Sequence, residues 1–177
     1  MQQDTLFMHK KFQVTGLSIL IIAITIFLAG CLDENNNGGQ ETIPQLDSVG
    51  PLLANWEDWD NDGIDDGLRI GFYFWDTSEN KIVFDAVTVS VLVELYTRTN
   101  TTSDSWAKDR LVYSNTFSIT SSQDVNPAPG TGLKIPAGNI NVNPETDYSL
   151  GIIEVSVSVP QQGEFNLPPD NTVRLYK

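Results

Sequence analysis

The stretch VTVSVLVELY, residues 87–96, places an apolar side chain at every second position for ten residues. An extended chain with this sequence carries one apolar face, formed by Val87, Val89, Val91, Val93 and Leu95. The other face is more polar and carries Thr88, Ser90, Leu92, Glu94 and Tyr96. A period of two is the period of a β-strand, whereas an amphipathic helix repeats every 3.6 residues. The stretch therefore predicts a strand with one buried face.

The same alternation recurs at residues 153–159, IEVSVSV, where Pro160 ends it. Weaker patterns predict strands at residues 68–76, 110–119, 133–135, 140–142 and 172–176. Turn-forming sequences such as NPAPG at 126–130 separate them. We expect the strand that ends at Val159 to pair with the C-terminal strand, and we expect no helix after the N-terminal apolar segment.

About seven short strands, each with one apolar face, need a second sheet to cover that face. The pattern thus predicts an all-β fold, an antiparallel two-sheet sandwich of immunoglobulin-like architecture. The Cys and Trp spacing of true immunoglobulin domains is missing, so the comparison concerns architecture alone. A small closed β-barrel is the alternative.

The N-terminus has the layout of an export signal. Lys10 and Lys11 precede an apolar stretch at 14–28, and small residues follow, ending in Leu28-Ala29-Gly30-Cys31. Cysteine directly after Leu-Ala-Gly resembles the lipobox of prokaryotic lipoproteins, bacterial or archaeal. That resemblance implies cleavage before Cys31, lipid on its sulfur and anchoring to the membrane from outside the cytoplasm. The alternative is an uncleaved transmembrane anchor, for which residues 14–32 have about the required length.

These features predict three parts of the chain: a signal peptide at 1–30 with a helical apolar core, a tether at 31–51, and the sandwich at 52–177. The tether is predicted because residues 33–40, DENNNGGQ, are polar and lack apolar periodicity. Cys31 is the only cysteine, so the chain forms no intramolecular disulfide.

Charge and composition exclude several classes of function. From Cys31 onward the chain has 22 carboxylates against eight Lys and Arg, a net charge of −14, which disfavours nucleic acid as a partner. The single histidine, His9, lies in the signal region. The rest of the chain therefore lacks the residues for Ser-His-Asp catalysis, Cys-His catalysis or imidazole-bound zinc.

One acidic segment carries a metal-binding pattern, DWDNDGIDDG at residues 58–67. Carboxylates at alternate positions followed by Gly63 can curl so that their oxygens converge on one cation. Ca²⁺ suits such a flexible oxygen cage better than Mg²⁺ does. We expect the Ile64 side chain to plug into the domain, and a metal-free solvated turn is the alternative.

The segment resembles the calcium loops of thrombospondin type-three repeats, over about ten residues. This resemblance implies ligation by the side chains of Asp58, Asp60 and Asp62, by the carbonyl of Ile64, and by Asp66 directly or through water. It also implies that Asp65 points outward. Arg69 occupies the twelfth position, where an EF-hand loop has Glu, so a further ligand is needed. The candidates are Asp47, Glu57 and Asp76.

Together these patterns predict an exported, lipid-anchored cell-envelope protein that is not an enzyme. We expect a binding or structural module with a structural calcium site and an unidentified protein or glycan partner. The principal alternative is a calcium-dependent carbohydrate-binding module, in which exposed tryptophans stack on sugar rings. An enzyme would need two carboxylates that converge in a cleft.

Overall fold

The computed structural model describes residues 43–102 and 105–176, and side chains are described except at 100–102 and 171. Ten strands follow one another along the chain: β1 Ser48–Val49, β2 Leu53–Glu57, β3 Gly67–Gly71, β4 Phe74–Trp75, β5 Asp85–Thr102, β6 Ser105–Ser121, β7 Leu133–Pro136, β8 Leu150–Val159, β9 Gly163–Asn166 and β10 Asp170–Arg174.

The largest sheet is built around β5, the strand that contains residues 87–96. β6 pairs with one edge of β5 and β8 with the other, both antiparallel. The outer edge of β8 pairs with β10 near its start and with β9 near its end. The predicted pairing of the strand ending at Val159 with the C-terminal strand is therefore confirmed, although β9 lies between them in sequence.

A second, three-stranded sheet has the order β2-β3-β7, again antiparallel throughout. The short strands β1 and β4 form a separate pair. The sheets are not closed into a barrel, so the all-β antiparallel prediction is confirmed and the architecture is consistent with a β-sandwich.

The apolar face predicted for β5 forms the centre of the core. Val89, Val91, Val93 and Leu95 have no exposed surface, and Val87 at the end of the row is half-buried. Ile153, Val155, Val157 and Val159 of β8 lie beside them and are also buried. Phe72 and Phe74 also belong to the core, their rings 5.5 Å apart and edge to face.

Three details of the strand prediction were wrong. The segment 68–76 is two strands, β3 and β4, separated at Phe72 and Tyr73, where the Phe72 N–H bonds to Val125 instead of to a neighbouring strand. Residues 140–142 form no strand; Asn141 contributes a single bond to the carbonyl of Val112 in β6. Short strands also bring the number of strands in the described part of the chain to ten rather than about seven.

The folded unit starts earlier than the predicted boundary at residue 52. Ile43, Leu46 and Val49 are buried in the core, so residues 43–51 belong to the domain and not to a tether. The described residues, from Ile43 onward, belong to one compact unit, which contains every described core residue. The predicted signal peptide, Cys31 and the tether up to residue 42 lie outside the described residues. Among the described residues, no helix has the length and apolarity to cross a membrane.

Candidate metal site

The acidic segment forms the connection between β2 and β3. These strands pair in register from Leu53 with Gly71 to Glu57 with Gly67, so residues 58–66 close the hairpin. Because the loop joins the paired residues Glu57 and Gly67, a contact that fixes the loop conformation also stabilises the end of the β2-β3 ladder.

Three aspartates of the loop converge. Asp58, Asp60 and Asp66 each offer one carboxylate oxygen, and the three oxygens lie within 4.8 Å of one another. Asp60 is exposed, while Asp58 and Asp66 are half-buried. Carboxylate oxygens are the donors that hard divalent cations prefer, so this group can hold a metal ion.

Hydrogen bonds from the main chain explain why the loop curls. Both oxygens of Asp58 accept bonds of 2.7 Å, from the N–H groups of Asn61 and Gly63. Asp60 accepts the N–H of Asp62 at 3.1 Å. Asn61 and Gly63 have φ of 64° and 91°, the left-handed region that asparagine and glycine tolerate best. The alternating aspartates thus cap the turns of the loop as well as supplying its charge.

Asp66 is the most firmly positioned of the three. Its Oδ2 accepts the N–H of Trp59 at 2.6 Å, and its own N–H donates to the carbonyl of Glu57 at 2.9 Å. Its carbonyl accepts the N–H of Ala137, which follows β7. These contacts hold the third carboxylate at the base of the loop, next to the three-stranded sheet.

The loop concentrates negative charge. Among the described residues, Glu57 pairs with Arg69, Lys108 with Glu154 and Arg110 with Asp147, and none of these ion pairs involves Asp58, Asp60 or Asp66. The N–H of Gly63 is the strongest influence that lowers the pKa of Asp58, so this carboxyl is ionised at neutral pH. None of these three ion pairs therefore supplies a basic side chain to the converging groups.

Two other predicted ligands, Asp62 and Ile64, do not lie with the three converging carboxylates. Asp62 does not belong to the converging group; its Oδ1 accepts the N–H of Ile64 at 2.8 Å. The expected plugging of Ile64 into the domain was wrong, because its side chain is 71% exposed. Ligation by the Ile64 carbonyl stays a prediction. Asp65 is half-buried, and its Oδ2 is shielded from solvent rather than pointing outward.

The candidates for a further ligand have other contacts. Glu57 pairs with the Nε of Arg69 at 2.5 Å. Asp76 caps its own turn by accepting the N–H groups of Ser78 and Asn80. Asp47 is exposed and donates its main-chain N–H to Trp75. None of the three belongs to the converging group.

The tryptophans around the loop pack against the domain. The Trp56 Nε1 donates to the carbonyl of Arg174 at 2.8 Å. The Trp59 ring lies next to the Cα of Gly67, and the Lys134 Nζ is 5.0 Å from its centroid. Both rings are half-buried. These contacts favour structural roles for the two side chains over stacking on a sugar.

Sequence reasoning missed one polar cluster, on the outer face of the large sheet. Glu94 of β5 and Glu154 of β8 are directly opposite one another and line a groove of about 230 Å³. Tyr96 donates to Glu94 at 3.0 Å, and Lys108 pairs with Glu154 at 2.8 Å. Burial, followed by the hydrogen bond to Glu94, raises the pKa of Tyr96. Glu94 is the only charged residue of the run 87–96, and Glu154 is the only one of the run 153–159. The sequence does not show the strand register that places them opposite one another.

Comparison of the chain with protein-family models, with curated proteins and with solved structures gave no match.

Proposed function

We propose that this protein is an extracytoplasmic, lipid-anchored module of the cell envelope, without enzymatic activity, in which Ca²⁺ stabilises the β2-β3 hairpin. The observation that carries the metal proposal is the convergence of Asp58, Asp60 and Asp66 within 4.8 Å. Three carboxylates without a basic partner repel one another, and a divalent cation removes that repulsion.

Ca²⁺ is the proposed ion because of the donor set. All three side chains are carboxylates, and an exposed loop leaves room for water ligands and irregular geometry. Mg²⁺ requires near-ideal octahedral geometry and gives up its water reluctantly. An incomplete cage of this kind implies weak affinity, with a Kd of about 10⁻⁴ to 10⁻³ M, as in other extracellular modules.

A structural role follows from where the loop is attached. Asp66 is bonded to Glu57 at the end of β2 and to Ala137 after β7, so an ion on Asp66 restrains three chain segments at once. An ion that binds the folded conformation and not the unfolded chain adds its binding free energy to the stability of the fold. With the Kd above and about 10 mM free Ca²⁺, the gain in stability is about 1.4–2.7 kcal/mol.

The test is thermal unfolding of a chain that begins at Leu32, in Ca²⁺, in Mg²⁺ and in chelator. We expect Ca²⁺ to raise the midpoint by roughly 5–10 °C and Mg²⁺ to raise it much less. Asp60→Asn should reduce the Ca²⁺ effect by about half or more. The control Glu164→Gln removes one exposed charge far from the loop in sequence and should keep the effect. An unchanged midpoint in all cations would exclude the metal site and leave a solvated acidic turn.

The proposed anchor rests on the sequence Leu28-Ala29-Gly30-Cys31 and is tested separately. Cells that express the full chain are grown with radiolabelled fatty acid. We expect label on the wild type and none on Cys31→Ser. An unlabelled wild type that still sediments with membranes would favour the uncleaved transmembrane anchor.

The absence of enzymatic activity is proposed from the available side chains. After Cys31 the chain has no histidine and no further cysteine. Glu94 and Glu154, which face each other across β5 and β8, are engaged by Tyr96 and Lys108. Charges that are already paired in this way support a structural role for the outer face of the large sheet.

A further inference from the structure

The first residues of the domain form a strap that lies apart from the two larger sheets. This strap, residues 43–50, buries three apolar side chains in the core, those of Ile43, Leu46 and Val49. Its later part contains β1, which pairs with β4. Among the described residues, β1 and β4 form a two-stranded sheet that shares no ladder with the five-stranded or the three-stranded sheet. Release of the strap would therefore leave the ladders of both larger sheets intact.

The second half of the strap is held by one short segment, residues 73–75. The Asp47 N–H donates to the Trp75 carbonyl and the Gly50 N–H to the Tyr73 carbonyl, each at 2.9 Å. The Trp75 indole nitrogen donates to the Gly50 carbonyl. Because these bonds all end on neighbouring residues, one local movement of the strap breaks them together.

The first half of the strap is held by a single side chain, that of Gln162. Its Oε1 accepts the Leu46 N–H at 2.6 Å. Its Nε2 donates to the carbonyls of Ile43 and Pro44, at 3.0 and 3.2 Å. Among the described residues, no other group hydrogen-bonds residues 43–46 to the rest of the domain. A primary amide has both a donor and an acceptor, so Gln162 takes the place of a neighbouring strand's main chain.

The turn between β8 and β9 positions Gln162. The Gln162 N–H donates to the Val159 carbonyl at 3.1 Å, which closes the turn at the end of β8. From there the half-buried side chain reaches the Leu46 N–H, 116 residues earlier in the chain. The strap is thus fastened to the large sheet through this one amide.

We propose that residues 43–50 open as a unit while the rest of the domain stays folded, and that Gln162 is the lock that holds them closed. Segments that share few main-chain hydrogen bonds with the larger sheets open locally, before global unfolding. Burial of Ile43, Leu46 and Val49 opposes the opening, so the closed state predominates. Loss of the Gln162 amide shifts this equilibrium towards the open state.

Opening of the strap lengthens the connection between the domain and its anchor. This consequence rests on the proposed lipid anchor at Cys31, whereas the opening itself requires neither the anchor nor the metal. Tension on the anchor reaches the described domain at Ile43, whose carbonyl is bonded to Gln162. Eight released residues span up to about 26–29 Å when extended. The domain then reaches further from the membrane without unfolding.

The test of the opening is amide hydrogen exchange of the chain that begins at Leu32, followed by NMR in chelator. We expect the amides of Leu46, Asp47 and Gly50 to share one protection factor, because they become exposed in the same event. This factor should be at least about tenfold below that of Val93 in the centre of β5, which exchanges on global unfolding. Strap amides as well protected as Val93 would overturn the proposal.

Gln162→Ala tests the lock. We expect it to lower the protection of Asp47 and Gly50 by about tenfold or more, although their own acceptors, the carbonyls of residues 75 and 73, are untouched. A loss confined to Leu46, the direct partner of Gln162, would show that the strap does not open as a unit. The control Gln123→Ala removes an amide that bonds to Asn126 instead, and it should leave the strap amides unchanged.

A force measurement tests the lengthening. The chain that begins at Leu32 has no cysteine, so Leu32→Cys and Ser158→Cys supply two attachment points, the second on an exposed residue of β8. We expect a discrete extension of up to about 26–29 Å below the force that unfolds the domain. Gln162→Ala should lower the force of this extension. Unfolding in one step, without an earlier extension, would overturn the lengthening.

Discussion

The indole nitrogen of Trp56 donates a hydrogen bond to the main-chain carbonyl of Arg174, 118 residues away, at 2.8 Å. Trp56 belongs to β2 of the small sheet and Arg174 to β10 of the large sheet. This bond therefore links the hairpin that carries the acidic loop to the last strand of the domain.

Replacement of Trp56 by Phe keeps most of the apolar ring and removes the donor. We expect the free energy of unfolding to fall by about 1 kcal/mol, the usual net contribution of one hydrogen bond. Trp59→Phe is the matched control, because the Trp59 Nε1 is buried and has no hydrogen-bond partner among the described residues. Urea unfolding of the two variants measures the difference. Equal losses would show that the Trp56 bond contributes nothing beyond ring packing.

Much of the architecture could be predicted from the sequence, because an apolar period of two is typical of a β-strand and not of a helix. The run 87–96 and the run 153–159 both became strands of the large sheet, with the predicted faces buried. The short strands were not readable. β1 and β4 have two residues each, and so short a segment has no measurable periodicity. Their pairing is fixed by tertiary contacts instead.

The candidate site could also be predicted in part, from the alternating pattern of its aspartates. Alternating aspartates before a glycine predicted the loop, and Asp58, Asp60 and Asp66 do converge. The sequence could not show that Asp60 belongs to the converging group and Asp62 does not, because this depends on the backbone conformation of the loop. Nor could it show that the Ile64 side chain points to solvent, since an apolar residue in a tight loop is ordinarily expected to pack.

Gly67, at the base of the loop, is needed for close packing. A Cβ at this position would collide with the Ile135 carbonyl and approach both Pro136 and the Trp59 ring to 2.9 Å. We expect Gly67→Ala to cost about 2 kcal/mol or more, because the main-chain atoms in the way cannot move independently. Gly138→Ala is the control, as a Cβ there meets nothing within 4 Å. Urea unfolding that shows equal stability for the two variants would contradict this packing.

Lys108 balances two facing carboxylates on the outer sheet face. Its hydrogen bond to Glu154 is the main cause that raises its pKa. Lys108→Met should lower the thermal midpoint, because Glu94 and Glu154 then face each other without a cation, and like charges in this position repel. The double variant Lys108→Met/Glu154→Gln should recover part of the loss. High salt should reduce the difference between Lys108→Met and the wild type, and a salt-independent loss would point to lost packing instead.

Asp76 gives the stability a specific dependence on acid pH. Hydrogen bonds from the Asn80 main chain and side chain are the largest influences that lower its pKa below 3.8. A depressed pKa in the folded state stabilises the protein above the unfolded value, and this contribution is lost as the pH falls through the folded value. Asp76→Asn should thus be less stable than the wild type at neutral pH, with a gap that closes below pH 3.8. Thermal midpoints across this range measure the gap, and a gap that persists in strong acid would contradict the assignment.

The contrast between Asp60 and Asp62 decides which carboxylates hold the metal. Both are exposed, and each accepts the N–H two residues further on, at 3.1 Å for Asp60 and 2.8 Å for Asp62. Replacement by Asn retains an oxygen acceptor in each case and removes one charge. In chelator Asp60→Asn should be the more stable variant, because it relieves repulsion within the converging group. The effect of Ca²⁺ on each variant is therefore measured against that variant's own value in chelator.

We expect Asp60→Asn to weaken Ca²⁺ binding by about tenfold or more, because a ligand that contributes 1.4 kcal/mol changes the Kd by that factor. Asp62→Asn should weaken it much less, through loss of one nearby charge, and this smaller effect should shrink as salt is added. Titration of Ca²⁺ followed by tryptophan fluorescence suits the measurement, since Trp59 lies within the loop and bonds to Asp66. An equal loss in both variants would mean that Asp62 turns inward when the ion binds, as the spacing of the aspartates predicts.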